Sequence, residues 1–117
     1  MSLTVSVRNS RNVLIIGLVG ELDHHTATRV RETIDRELVG GGAEHLVINL
    51  AQLDFMDSSG LGVLLGRFKK VAQNGGKMSL CRIKPSVYRL MEMSGLFKVM
   101  PIYEDEHSAI QACEVAS

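Results

Sequence analysis

The chain has 117 residues, 45% of them hydrophobic, which is enough for one globular domain spanning residues 1–117 and too little for two. Its 13 basic residues balance 13 acidic ones and neither sign forms a run, so the sequence lacks the charge pattern of a nucleic-acid-binding or anionic-membrane-binding protein. Trp is absent and Phe occurs three times, which leaves few aromatic side chains for stacking on bases.

The first third of the sequence predicts a β-hairpin followed by a helix. Apolar and polar residues alternate over positions 3–7, as in a half-buried strand, and the apolar run 13–19 is typical of a strand covered on both faces. Residues 8–12 lie between them and predict the turn of a hairpin. From His24 the apolar positions recur at steps of three and four, which predicts a helix ending at the glycines 40–42.

The rest of the sequence alternates predicted strands and helices. The predicted elements are a buried strand at 46–50, a helix at 61–72 stopped by 74–76, a strand at 78–82, a helix from Pro85 to a stop at Gly95, a strand at 99–103 and a helix from about Glu104 to Val115. This order predicts an α/β fold with a mixed, mostly parallel β-sheet, right-handed crossovers and about four helices.

Hydropathy and cysteine content predict a soluble, cytoplasmic protein. The longest apolar stretches, such as 13–20, are far shorter than the roughly 18–20 residues that span a bilayer, and the N-terminus has no basic region followed by an apolar one. Cys81 and Cys113 form no CxxC pair, and a domain of this size needs no disulfide, so both are predicted to be reduced and packed.

A polar stretch interrupts the apolar sequence at the start of the helix predicted for 61–72. Asp57, Ser58 and Ser59 belong to the residue types whose side-chain oxygens accept the unpaired N–H groups of a helix N-terminus, so a plain cap is one interpretation. Glycines follow at 60, 62 and 66, although each weakens a helix by about 1 kcal/mol relative to Ala. Their presence predicts that the helix lies close to the sheet, or that a partner needs access to it.

Two catalytic or ligand-binding interpretations of this region fail on its residues. A serine-hydrolase elbow needs Gly two positions before the serine, where Met56 and Asp57 stand instead. A phosphate-binding loop needs Lys after its last glycine, where Gly66 is followed by Arg67.

The four histidines do not predict a metal site. His24 and His25 are adjacent, so on a helix they would point in different directions, and His45 and His107 are distant in the sequence.

A serine at the positive end of a helix remains as the chemical feature of this region. Free N–H donors and the helix dipole would stabilise a phosphate attached covalently to Ser58 or Ser59.

Three motifs of the sequence resemble those of anti-sigma factor antagonists with a STAS domain. They are GELDHHTA at 20–27, FMDSSGLGVLLGR at 55–67 and MSGLFK at 93–98, and the likeness covers essentially the whole chain in the same order, with the sporulation members most similar. The resemblance implies a cytoplasmic, non-enzymatic, monomeric binding protein with a mixed sheet, no metal and no cofactor.

The resemblance also implies a switch. An anti-sigma factor that is itself a serine kinase would phosphorylate Ser58, with Ser59 as the second candidate, and a PP2C-like phosphatase would reverse the reaction. The unphosphorylated protein would bind the anti-sigma factor and release the sigma factor for sporulation transcription. Asp23 matches an acidic residue important beside the serine, and Asp57 and Gly60 complete the predicted surface for kinase and partner.

Two alternatives to this function stay open at the level of the sequence. One is a STAS module of another system, such as a stress-response antagonist, a stressosome component or a transporter tail. The other is a STAS protein that binds a nucleotide weakly or hydrolyses it slowly.

Overall fold

The computed structural model describes residues 2–114. Within this range the chain forms five strands and four α-helices in the predicted order, and the predicted α/β fold with a mixed sheet is confirmed. They are β1 (Leu3–Ser10), β2 (Val13–Leu22), α1 (Ala27–Gly41), β3 (His45–Met56), α2 (Ser58–Gln73), β4 (Met78–Cys81), α3 (Pro85–Ser94), β5 (Ile102–Tyr103) and α4 (Glu106–Glu114). No helix of residues 2–114 has the length and apolar character needed to cross a bilayer.

The strands form one sheet in the order β1-β2-β3-β4-β5. β1 and β2 pair antiparallel as the predicted hairpin, and β2 to β5 pair in parallel. The hairpin turn consists of Arg11, in the left-handed region with φ 55°, and Asn12. The N–H groups of Glu44 and His45 donate to Asn12 O at 3.1 Å, which ties the turn to the start of β3.

Alternate residues of the strands bury two separate cores. Leu14, Ile16 and Ile48 pack on one face with the apolar sides of α1, α2 and α3. Val13 and Ile15 point to the other face, together with Val47 and Cys81. Ala109 and Cys113 of α4 cover them there. The predicted burial of β2 on both faces follows from this two-sided cover.

Glu106 joins α4 to the sheet. Its carboxylate accepts hydrogen bonds from Arg8 on β1 and from Asn49 Nδ2 on β3, the latter at 2.8 Å. Burial by itself would raise the pKa of Glu106, but these two hydrogen bonds and the positive charges of Arg8 and Arg82 together outweigh burial and hold the pKa below its usual value.

Several predicted boundaries were wrong. β3 continues from 50 to Met56, because Gln52, Leu53, Phe55 and Met56 also pair with β2. β5 is only two residues long, since Leu96–Lys98 form a 3₁₀ turn and the chain then folds so that Met100 is buried. α4 begins at Glu106 rather than Glu104, and its predicted end at Val115 lies outside the described residues.

The start of α1 is also later than predicted, at Ala27 instead of near His24. Residues 24–26 form a turn, because the Asp23 carbonyl accepts the N–H groups of Thr26 and Ala27 at 3.1 and 2.8 Å. α2 ends at the predicted stop, where Gly75 is left-handed (φ 83°) and Asn74 is not (φ −94°).

The parallel pairing of β2 with β3 is interrupted twice. Gly17 lies opposite Asn49, whereas Leu22 lies opposite Met56, so β3 contains two residues more than β2 between these pairs. Bulges of this kind re-aim the residues that follow them. As a result, Asp23 and Asp57 are the first residues after two paired strand ends, and they are neighbours at the same edge of the sheet.

Both cysteines are buried free thiols, as predicted, with Cys81 on β4 and Cys113 on α4 in the core between that helix and the sheet. Burial raises the pKa of Cys81 to about 11, and the carboxylate of Glu106 adds to the rise. Burial also raises the pKa of Cys113. Since the thiolate is the reactive form, both side chains should be inert in the folded protein.

We therefore expect both thiols to react slowly with a disulfide reagent such as DTNB at about pH 8 in the native protein, because each is buried and protonated. After unfolding in denaturant, two thiols per chain should react at once. The release of thionitrobenzoate measures both phases. A fast phase of one thiol in the native protein would contradict the packing of α4 on the sheet.

Candidate functional site

Asp57 ends β3 and caps α2. Its Oδ1 accepts the N–H groups of Ser59 at 2.8 Å and Gly60 at 3.3 Å, and its backbone is extended, with φ −110° and ψ −171°. A side-chain oxygen at this position satisfies donors that the helix itself leaves unpaired. The predicted cap is therefore present, and Asp57 is the residue that supplies it.

Asp57 also holds the loop that follows β2. Its Oδ2 accepts the N–H of His24 at 3.2 Å, and the His24 ring nitrogen Nδ1 lies 3.7 Å from the same oxygen. The N–H of Asp57 donates to Leu22 O at 3.2 Å. The start of α2 and the β2–α1 loop are thus joined through one carboxylate.

Asp23 shapes the same loop from inside. Its side chain is buried, and Oδ1 accepts the N–H groups of His25 at 2.9 Å and Thr26 at 3.2 Å. Thr26 Oγ1 in turn accepts the N–H of Asp23 and donates to the carbonyl of Glu21, each at 3.0 Å. Burial would raise the pKa of Asp23, but the backbone hydrogen bonds outweigh it and lower the pKa below its usual value.

Ser58 is the first residue of α2, and it is exposed, whereas Ser59 is half-buried. Ser58 therefore lies on the rim formed by Asp23, His24 and Asp57, with its hydroxyl open to another molecule. The expectation that free N–H donors would receive a phosphate here was wrong for Ser59 and Gly60, because Asp57 already accepts both. A phosphate on Ser58 would instead lie beside a carboxylate.

The glycines of α2 do not share one role. A Cβ on Gly60 would lie 2.6 Å from Met56 Cγ and 2.9 Å from Leu22 Cγ, so its close packing against the strand ends matches the prediction. A Cβ on Gly62 or Gly66 would meet no atom within 4 Å, so the predicted close approach was wrong for both. The first turn of α2 is the part that touches the sheet.

A groove between α1 and α2 opens beside Ser59, and the sequence analysis did not find it. Its cavity volume is about 330 Å³, and it is lined by Ala27, Thr28, Arg31, Ser59, Gly62, Val63 and Arg67. Arg67 is only 9% exposed, and its Nε lies 3.1 Å from Asp35 Oδ1. This pair is a contact between charges and not an aligned hydrogen bond, since neither atom has a hydrogen-bond partner among residues 2–114.

The histidines do not converge. His24 and His25 lie side by side with ring centroids 3.9 Å apart, while His45 begins β3 at its opposite end and accepts the N–H of Lys77 at 2.9 Å. His107 lies on α4, on the other face of the sheet. Throughout residues 2–114, no three His, Cys, Asp or Glu side chains gather in a group that could hold a metal ion.

Sequence comparison places this chain among known domains. Residues 4–109 match the STAS domain. The chain is 50% identical over 117 residues, covering all of both proteins, to an anti-sigma F factor antagonist of Paenibacillus polymyxa. It is 32% identical over 111 residues, 95% of this chain and all of the relative, to an anti-sigma-B factor antagonist of Bacillus subtilis strain 168.

Solved structures have the same fold. An anti-sigma factor antagonist from Mycobacterium paratuberculosis superposes with a TM-score of 0.87 at 27% identity, covering 97% of this chain and 96% of the other. Unphosphorylated SpoIIAA superposes with a TM-score of 0.81 at 29% identity, covering 97% and 100%. The phosphorylated form of Bacillus SpoIIAA gives 0.72 at 31% identity, covering 93% and 98%.

The packing of the glycines predicts opposite effects of two alanine substitutions in α2. Gly60→Ala should lower the free energy of unfolding by about 1–3 kcal/mol, because its methyl group overlaps Leu22 and Met56. Gly66→Ala, the matched control, should raise it by about 0.5–1 kcal/mol, since the space is open and Ala favours the helix. Urea unfolding measures both, and equal effects would contradict the close contact at Gly60.

The buried turn at Asp23 predicts a pH dependence of stability. Because folding lowers the pKa of Asp23, its contribution to stability is complete above the unfolded value, ordinarily 3.8, and is lost as the pH falls through the folded value. Melting temperatures between about pH 3 and pH 6 should therefore vary less in Asp23→Asn than in the wild type.

Glu32→Gln provides the control for this measurement, because Glu32 is an exposed carboxylate on α1. Its melting curve should follow the wild-type pH profile. An Asp23→Asn protein with an unchanged profile would show that the Asp23 carboxylate does not stabilise the turn.

Proposed function

The chain belongs to the STAS domain family, and we propose that within it the protein is an anti-sigma factor antagonist switched by phosphorylation of Ser58. Unphosphorylated, it binds an anti-sigma factor that is also a serine kinase and so releases the sigma factor for sporulation transcription. The kinase phosphorylates Ser58 and ends the binding, and a PP2C-like phosphatase restores it. The protein acts in the cytoplasm, as a monomer and without catalysis of its own.

The observation that carries this proposal is the position of Ser58. It is exposed at the first residue of α2, on a rim fixed by Asp23 and Asp57, so a kinase can reach its hydroxyl without unfolding the domain. The relative with 50% identity over its full length is named an anti-sigma F factor antagonist, and SpoIIAA has a solved phosphorylated form. Ser59 is half-buried and faces the α1–α2 groove, which makes it the second candidate acceptor.

The phosphate acts through charge at the partner surface. It adds about 1.5–2 negative charges and three acceptor oxygens. The N–H groups of Ser59 and Gly60 are held by Asp57, so they do not neutralise the phosphate. In the complex this charge must lose its water next to the carboxylate of Asp57, whereas in the free protein it stays hydrated at an exposed site.

The size of this effect is sufficient for a switch. Like charges brought together in an interface cost several kcal/mol. A penalty of about 3–4 kcal/mol weakens binding a few hundredfold, which lets a competing sigma factor displace the antagonist. The fold of the domain itself need not change, because the helix cap and the strand pairing do not involve the Ser58 hydroxyl.

Asp23 and Asp57 have a supporting role in this proposal. Together they fix the loop at 23–26 and the first turn of α2 relative to each other, and so present Ser58 in one orientation to the kinase. Gly60 lets that first turn pack directly on the ends of β2 and β3.

A second candidate function is antagonism of an anti-sigma-B factor in a stress response. It is favoured by the 32% identity to the anti-sigma-B factor antagonist of Bacillus subtilis. Titration against both kinds of anti-sigma factor distinguishes the two, and the higher identity to the sigma F relative predicts tighter binding to the anti-sigma F factor.

The proposed switch predicts distinct behaviour of three serine variants. With the anti-sigma factor and ATP, mass spectrometry of the peptide around Ser58 should detect one phosphate, which is absent in Ser58→Ala and retained in Ser59→Ala. By calorimetric titration, Ser58→Ala should bind with or without ATP. Ser58→Asp should bind more weakly than the wild type, because its carboxylate places a charge beside Asp57.

Circular dichroism should give the same spectrum for all of these proteins, which separates lost binding from lost folding. Full affinity of Ser58→Asp would contradict exclusion by charge. Phosphate recovered only on Ser59 would contradict the choice of acceptor.

A further inference from the structure

The groove between α1 and α2 opens at the same edge of the molecule as Ser58. Thr28 and Arg31 line it from α1, and Ser59, Gly62 and Arg67 line it from α2. A Cβ added at Gly62 would meet nothing within 4 Å, so the wall on the α2 side is low. A side chain from another molecule can therefore enter between the two helices.

Positive charge dominates the groove. Arg67 and Lys70 share a single carboxylate, Asp35 Oδ1, at 3.1 and 3.6 Å. Arg67 is only 9% exposed, and its Nη1 is buried without a hydrogen-bond acceptor among the described residues. A cation placed in this way projects a positive potential into the groove, since little water is present to screen it.

Arg31 is the contact residue of the groove. Its side chain is exposed, and within the part of the chain that the structure describes it forms neither a hydrogen bond nor an ion pair. Its guanidinium is thus available to a carboxylate, which it can bind through two parallel hydrogen bonds. Arg67, which is buried in the wall of the groove, adds positive charge to this site. Thr28 and Ser59 add hydroxyl groups.

We infer that this groove receives an acidic side chain of the anti-sigma factor, with Arg31 as the residue that binds its carboxylate. The inference rests on the proposed function and adds a second contact to it. The partner would then touch two adjoining surfaces of opposite charge, the rim at Asp57 and Ser58 and the groove of Arg31 and Arg67. A phosphate on Ser58 alters only the first of these surfaces.

The test is a calorimetric titration of the anti-sigma factor with charge-reversal variants of the unphosphorylated, full-length protein. Arg31→Glu should raise Kd by about tenfold or more, because it places a carboxylate against the partner's own, and Arg31→Ala should raise it by a smaller factor. Mass spectrometry should still detect phosphorylation of Ser58 in Arg31→Ala at high kinase concentration.

Arg36→Glu is the matched control, because Arg36 is exposed on the same helix but does not line the groove. It makes the same change in net charge and should leave Kd within about twofold of the wild type. Melting temperatures of both variants should equal that of the wild type, since neither arginine has a partner within residues 2–114.

The outcomes separate the inference from the function on which it rests. If the wild type binds and Arg31→Glu binds equally well, the groove is not a contact and the proposed function stands. An equal loss in Arg31→Glu and Arg36→Glu also overturns the inference, because net charge then explains it. A wild-type protein that does not bind the anti-sigma factor overturns both.

Discussion

The carboxylate of Asp57 is the constraint on which the site depends. One oxygen holds the first turn of α2 through Ser59 and Gly60, and the other holds the loop after β2 through the N–H of His24. The backbone of the same residue bonds to Leu22 at the end of β2. A strand end, a helix start and a loop are therefore fixed by one residue. Ser58, next to Asp57, is therefore attached to a fixed backbone although its side chain lies at the surface.

The charges around Ser58 are arranged in two adjoining parts. Asp23 and Asp57 are carboxylates whose hydrogen-bonding capacity is directed inward to backbone N–H groups. Arg31 and Arg67 lie on the neighbouring groove, with positive charge in excess of the one carboxylate of Asp35. A phosphate on Ser58 would add its negative charge on the acidic side, beside the carboxylate of Asp57. In the proposed switch, the domain need not refold for the partner to distinguish the phosphorylated from the unphosphorylated state.

Much of the fold could be predicted from the sequence, because the period of the apolar residues identifies strands and helices locally. The pattern from Val30 to Ile34 placed α1, and Asp57 next to two serines placed the cap of α2. The two bulges in β3 could not be predicted in this way, since they depend on which residue of β2 each residue of β3 meets. They bring Asp23 beside Asp57, and the resemblance to a family, not the periodicity, had indicated that association.

The errors about α2 have a common physical origin. A glycine in a sequence shows only that a side chain is absent. Whether a side chain would fit depends on neighbours that are distant in the chain. Leu22 approaches Gly60, while nothing approaches Gly66. Similarly, helix N–H donors are free only until the cap takes them. The sequence does not show that Asp57 occupies the donors that a phosphate would need, whereas the structure does.

Each strand of the sheet pairs with the one made immediately before it in the chain. The hydrogen bonds that shape the rim around Ser58 all come from residues 21–61. The parallel pairs nevertheless join residues on opposite sides of a helix, such as Leu14 with Leu46 and Leu46 with Met78, and pairing over such separations slows folding. Because a domain generally folds as a unit, and the core beneath this half of the sheet includes Leu80 and Met91, the frame around Ser58 should form together with the rest of the sheet and not before it.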